Sequence, residues 1–325
     1  MSAPPIDVNA VIPPTMGALM LSMVFSSVMY GVTVLQTYQY YDGYWEDPAY
    51  MKVFVAALWV LDTAQLVTVI HSNWWYLIAN YANVAALNIV PVSLAIEVGF
   101  TISIGVLVQS FFAYRVWYTS GRQFIIPLTI VCLTLATFSL GIFYAVTGQR
   151  NPVVEEIAKI TWATVASLSC SMAADFLITG SLVYYLHRHR SGLRRTDKLI
   201  NVLIVYTVNT GLLTSIAAMC TIILSKTLVG TQWQVIPYFL VSKFYVNSTL
   251  ATLNAREKLR NMPAGMSTNG AQLELSTRPD GGSTTMVHKR NRNNHQESEI
   301  KFATVTESMA DTKVLDTTID MTSEA

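Results

Sequence analysis

The 325-residue sequence predicts an all-α integral membrane protein: a bundle of seven transmembrane helices, N-terminus outside and C-terminus cytoplasmic. Three observations carry this. The chain is 52% hydrophobic and only 13% charged, whereas soluble domains carry about a quarter charged residues. Seven segments reach the ~20 apolar residues needed to span a bilayer core. Lys and Arg fall on one side of those segments, eleven against three.

The predicted spans are Thr15–Tyr38, Lys52–His71, Val92–Trp117, Phe124–Val146, Ile160–Tyr185, Leu199–Ser225 and Gln234–Leu253. Each must be helical, because a backbone unpaired in lipid costs several kcal/mol per group. Between Asp7 and Asp42 no Asp, Glu, Lys, Arg or His occurs. The first span lacks a basic leader and runs directly into Gln36 and Tyr38, unlike a cleaved signal peptide. Residues 1–14 are then a short external segment, 15–260 the membrane domain and 261–325 a tail.

Orientation follows from the positive-inside rule. With the N-terminus outside, the inner connections hold Lys52, Arg115, Arg122, Arg188, Arg190, Arg194, Arg195, Lys198, Arg256, Lys258 and Arg260; the outer ones hold Arg150, Lys159 and Lys226. Tyr and Trp cluster at 38–45 and 74–76, where interfacial belts are expected. The connection 72–91 has room for a short helix on the outer face. Beyond Arg260 the composition turns to Ser, Thr, Asp, Glu and Asn without an apolar face, so a disordered cytoplasmic tail is expected.

Several function classes drop out. The basic residues sit in short loops and not on one face, so nucleic acid is not a partner. Cys132, Cys170 and Cys220 all lie in apolar runs with no metal-ligand spacing, so neither a disulfide framework nor a metal site is read. No phosphate loop, zinc-protease or nucleophile-elbow motif is present, and no cofactor is implied.

Ionisable groups at membrane depth are expensive and therefore functional candidates. Asp62, Glu97, Asp175 and Lys243 qualify. Lys243 shares a helix face with Asn247 and Asn254, and Asn209 accompanies Tyr206, Thr210 and Thr214 on the sixth span. Hydroxylated stripes of this kind often only join helices. Residue counting places Glu97 about six and Lys243 about nine residues from their outer ends, a depth difference of roughly 4–5 Å at ~1.5 Å per residue. Glu97 is therefore the expected partner of Lys243, with Asp62 the alternative. The basic run Arg188, Arg190, Arg194, Arg195 and Lys198 is expected to anchor orientation and touch anionic headgroups.

Several runs carry a resemblance. They are Leu61-Asp62-Thr63, Phe111-Phe112 with Arg115-Val116-Trp117, Arg194-Arg195-Thr196-Asp197 with Leu199-Ile200-Asn201, and Asn209-Thr210-Gly211-Leu212-Leu213-Thr214-Ser215. The most specific is Ser242-Lys243 with Tyr245-Val246-Asn247-Ser248, Leu250-Ala251 and Leu253-Asn254-Ala255-Arg256. Over about residues 16–260 the chain resembles a family of uncharacterised seven-helix membrane proteins from mushroom-forming fungi, defined by a conserved domain of unknown function. Val92 stands where that family is expected to have a tryptophan. The resemblance implies topology and fungal origin, and no mechanism. Better-known seven-helix families fit less well. Tyr114-Arg115-Val116 replaces the Asp-Arg-Tyr of rhodopsin-like receptors, and Phe239 stands four residues before Lys243, where microbial rhodopsins have Asp.

The leading expectation is a receptor-like sensor of a small ligand, with a cytoplasmic signalling partner, in the plasma membrane or another membrane of the secretory pathway. The alternative is a small-molecule or ion transporter using the intramembrane Asp, Glu and Lys.

Overall fold

In a computed structural model, the chain is described over residues 13–81, 83–189, 194–228 and 231–260. Among these residues, seven long helices dominate: α1 (Ala18–Gly43), α2 (Ala49–Trp74), α3 (Val92–Thr119), α4 (Ile125–Arg150), α5 (Thr161–Arg188), α6 (Arg194–Thr227) and α7 (Val235–Arg260). Most run several residues past their apolar stretches, because aromatic and basic residues at the interfaces continue the helical hydrogen bonding. Residues 1–12 and the tail 261–325 lie outside the described residues, so the expectations for both ends are not addressed there.

Among the described residues, six helical stretches are long and apolar enough to cross a membrane: Pro14–Gly43, Ala49–Ala79, Val92–Thr119, Ile125–Arg150, Thr161–Arg188 and Ile200–Thr227. The protein is thus a helical multi-pass membrane protein. Helix α7 is of similar length but carries Lys243, Asn247, Asn254 and a series of Ser and Thr residues. Its neighbours shield this polarity. Helix α7 packs lengthwise between α1 and α6 and also meets α3 and α2. Consecutive helices otherwise adjoin, and α3 runs through the middle against α5 and α7.

The outward surface is apolar, with Val28, Leu35, Val53, Val67, Leu128, Phe176 and Leu212 exposed. The interior mixes an aliphatic and aromatic core around Leu58, Ile104, Val108, Phe112, Ile130, Leu182 and Leu250 with buried polar groups. That inversion suits a lipid surround, where polar side chains gain by pairing inside.

Two ends can be distinguished. At the entry end, α1, α3, α5 and α7 begin and α2, α4 and α6 finish. Here the α2–α3 and α4–α5 connections are tied by Val90 N–H to Pro152 O (2.8 Å), while the Tyr76 hydroxyl donates to Ile89 O (2.9 Å) within the α2–α3 connection. The room expected for a short helix in the first connection holds a single 3₁₀ segment, Val84–Asn88. A six-residue helix, Val154–Lys159, caps the second and had no counterpart in the sequence expectation. At the opposite end, Arg256 pairs with Asp47 (2.7 Å) and lies over the Tyr44 ring, joining α7 to the α1–α2 turn. The α3–α4 turn needs left-handed backbone at Gly121 and Arg122, with φ of 71° and 69°, a conformation glycine adopts without strain.

Candidate functional site

Three layers of polar contacts run inward from the entry end. Lys243 sits on α7 about eight residues past Val235, roughly 12 Å along the helix. Its Nζ donates to Asp62 Oδ1 at 2.8 Å and to the Asp62 backbone carbonyl at 3.1 Å. Both side chains are 0% exposed. The Tyr30 ring from α1 lies 5.5 Å from the ammonium. The pairing expected with Glu97 is therefore corrected to Asp62. Residue counting gives depth along a helix but not the azimuth of the side chain, and α2 presents Asp62 directly across from α7.

Glu97 belongs to a neighbouring contact. Its Oε1 accepts from Gln65 Nε2 (2.9 Å) on α2 and from Thr101 Oγ1 (2.7 Å) one turn on. Its Oε2 is buried and makes no hydrogen bond. Because Gln65 follows Asp62 by three residues on α2, the Glu97 and Lys243 contacts are joined through one turn of helix. Above them, Ser72 donates to Ser93 (3.0 Å) and seals the α2–α3 seam.

Glu97 lines a cavity of about 220 Å³ at the entry end. Helices α3 to α7 and the short helix Val154–Lys159 all contribute to its wall. Leu94, Val98, Ile157, Leu228 and Val235 make it largely apolar, Tyr144, Tyr238 and Phe239 add aromatic surface, and Gln149, Gln232 and Gln234 add amides. Gln234 Oε1 is buried without a hydrogen bond. A smaller cavity of about 40 Å³ continues from it, sharing Tyr144 and Tyr238 and reaching Ser171 and Tyr245.

The third layer centres on Asp175 of α5. Its carboxylate accepts from Gln109 Nε2 of α3 (3.1 Å), Thr214 Oγ1 of α6 (2.7 Å) and the Tyr245 hydroxyl of α7 (2.6 Å). Gln109 in turn accepts from Thr134 Oγ1 of α4 (3.0 Å). Four helices thus meet at one carboxylate, a fifth joins through Gln109, and Ser171 is hydrogen-bonded to the Tyr245 hydroxyl (3.0 Å). The close approach of α6 depends on Gly211, where an added Cβ would overlap Thr179 Oγ1 and touch the Asp175 carbonyl.

The other expected site residues separate from these layers. Asn247 Nδ2 donates to Met29 O (3.1 Å) and its Oδ1 accepts from Thr33 Oγ1 (3.3 Å), while Asn254 Nδ2 donates to Gln36 O (2.8 Å). Two turns apart, both amides fasten α7 to α1. Asn209 is exposed on α6 and is not brought to any of the layers. The buried stripe of α6 runs through Thr207, Thr210, Thr214, Ala217 and Thr221, one position away around the helix. Arg188 is exposed at the end of α5, Arg194, Arg195 and Lys198 stand in the opening turns of α6, and Arg190 lies outside the described residues. Next to Arg188, His189 bonds Thr119 O (2.9 Å), tying the α5–α6 connection to the end of α3.

Sequence reasoning missed Gln65 and Gln109, which mediate two of the three layers, and the hydroxyl of Tyr245. Each glutamine lies in an otherwise apolar run, and an amide at membrane depth is the signal that points to them. Among the described residues, no group of three or more His, Cys, Asp and Glu side chains is placed to hold a metal ion.

Residues 171–258 match a family described only as a family of unknown function (DUF6534). The match takes in Asp175, Thr214, Lys243 and Tyr245, and ends before Asp62 and Glu97 are reached in either direction. No curated protein and no solved structure matches the chain.

Proposed function

We propose that the chain is a receptor-like sensor that holds a small ligand in the cavity at its entry end. The observation that carries this is the partly open 220 Å³ cavity with the buried Glu97 in its wall. Ligand pockets are typically concave and mostly apolar, with a few placed polar groups. All five helices α3–α7 contribute to the wall, so an occupant contacts most of the bundle at once. The Asp175 layer lies beneath it and joins the same five helices. A change in how the helices pack around a ligand is therefore passed to their opposite ends, where His189 and the basic run stand.

In this proposal α7 is the seventh span, its polarity carried by α1, α2, α3 and α6. The eleven-to-three basic asymmetry supports an external N-terminus and a cytoplasmic C-terminus. The cavity then opens toward the exterior or lumen, and the α5–α6 connection meets a cytoplasmic partner. A plasma-membrane or secretory-pathway location suits that arrangement. Fungal origin rests on the sequence runs quoted above.

One observation favours a carrier instead. The 220 Å³ and 40 Å³ cavities share walls, and a third of about 10 Å³ adjoins Gln109 and Asp175. Such a broken polar track suits a small solute or ion.

Native mass spectrometry of the full chain in detergent tests the site. The proposal expects a small molecule retained by the wild type and lost from Ala145→Trp, which fills the cavity from α4. Retention by both proteins places any ligand elsewhere. Flux into liposomes containing only this protein selects the carrier.

A further inference from the structure

Resting on the assignment of that cavity as a ligand site, we infer that its ligand is a compact, apolar amine whose ammonium group pairs with Glu97. Charge, hydrogen bonding and size each favour this class.

Among the described residues, the buried carboxyl groups are Asp62, Glu97 and Asp175, and the only fully buried cation is Lys243. Lys243 is committed to Asp62, at 2.8 Å and 3.1 Å. Asp175 is satisfied by three donors from three helices. Asp62 Oδ2 and Glu97 Oε2 are both buried without a donor, but Asp62 is already paired with Lys243 and only Glu97 lines the cavity. Gln65 and Thr101 both donate to its other oxygen, an arrangement that holds a carboxylate and orients it. A buried carboxylate needs a compensating partner, and no side chain supplies one for Oε2.

Two further unmet groups stand in the same wall, the Thr164 hydroxyl and the Gln234 amide oxygen. Gln234 Oε1 is an acceptor without a donor. Two acceptors lining one cavity call for a ligand that donates more than one hydrogen, and an ammonium group has two or three to give. A carboxylate ligand would instead place a second negative charge beside Glu97.

Size sets the rest of the molecule. An apolar cavity of about 150 Å³ takes benzene. The 220 Å³ here, walled by Tyr144, Tyr238 and Phe239 as well as aliphatic side chains, has room for a ring with a short amine-bearing arm. Aromatic faces near the ammonium add cation–π attraction.

The probes are 2-phenylethylamine and its neutral counterpart 2-phenylethanol, titrated calorimetrically against the full-length protein in detergent. In wild type the amine is expected to bind about 10- to 100-fold more tightly, the range of a hydrogen bond to a charged group. Glu97→Gln, which keeps shape and removes charge, should erase that preference. Glu97→Asp, which keeps the charge, should retain most of it. Size-exclusion profiles establish that each variant is folded. Equal binding of both probes to wild type, or an amine preference that survives Glu97→Gln, overturns the amine assignment and leaves the cavity a ligand site. Binding of neither probe, together with no retained molecule in the native mass spectrum, overturns both.

Discussion

Replacing Lys243 with Met should destabilise the bundle more than replacing Lys243 and Asp62 together. At 2.8 Å the pair attracts by about 6 kcal/mol for an effective dielectric of ~20. Burial of two fully covered charges offsets most of this, so the net value of the intact pair is small. Removing one partner leaves the desolvation cost of the other without its compensation, about 3–5 kcal/mol. For a domain of this size that corresponds to roughly 6–20 °C in unfolding temperature, at about 2–4 °C per kcal/mol. The assay is thermal unfolding in detergent of wild type, Lys243→Met, Asp62→Asn and the double variant. The two single variants should each fall by that amount, and the double variant should recover much of it. The same cycle with Lys243→Met and Glu97→Gln should show far weaker coupling, because no hydrogen bond joins those side chains. Additive losses for Lys243 and Asp62, or a wild-type response from Lys243→Met, refute the pairing.

Other substitutions probe the remaining contacts by the same melting assay. Gly211→Ala should cost about 1–3 kcal/mol through overpacking against Thr179, and Thr179→Ala in the same chain should restore part of the loss. Tyr245→Phe removes the hydroxyl that donates to Asp175 at 2.6 Å and should cost about 1–3 kcal/mol; an unchanged melting temperature would show that Gln109 and Thr214 suffice. Arg256→Met should cost no more than about 1 kcal/mol, since the Arg256–Asp47 side chains are 37% and 19% exposed, and added salt should shrink the difference.

Much of this architecture was legible in residue order. The first six spans read from hydropathy coincide with helices long and apolar enough to cross a membrane, because lipid leaves the backbone no alternative. Lys243 stood out as a deep charge, and its spacings of four to Asn247 and eleven to Asn254 located the α7 face that meets α1 and α2. Helix α7 also shows where composition misleads: it is the least apolar of the long helices because its neighbours, not lipid, surround it. The partner of Lys243 was harder. Asp62 and Glu97 sit on adjacent helices, and the choice between them depends on helix rotation, which no periodicity in α2 or α3 specifies. Asn209 illustrates the same difficulty on α6, where the buried Thr210 and the exposed Asn209 are adjacent in sequence. The cavity had no local signature at all. Its wall is assembled from five helices and from Ile157 on a six-residue helix whose only function in sequence is to follow Pro152 and the polar Gln149–Asn151 run.

The central claim is that occupancy of the entry-end cavity is felt at the opposite end of the bundle. Hydrogen–deuterium exchange measures this directly in the full-length protein, with and without 2-phenylethylamine or the molecule retained on purification. The account predicts altered exchange in the connections at 119–124 and 186–189 on ligand addition, and no such change in Ala145→Trp. Exchange that changes only around the cavity, or changes equally in the filled variant, would contradict it.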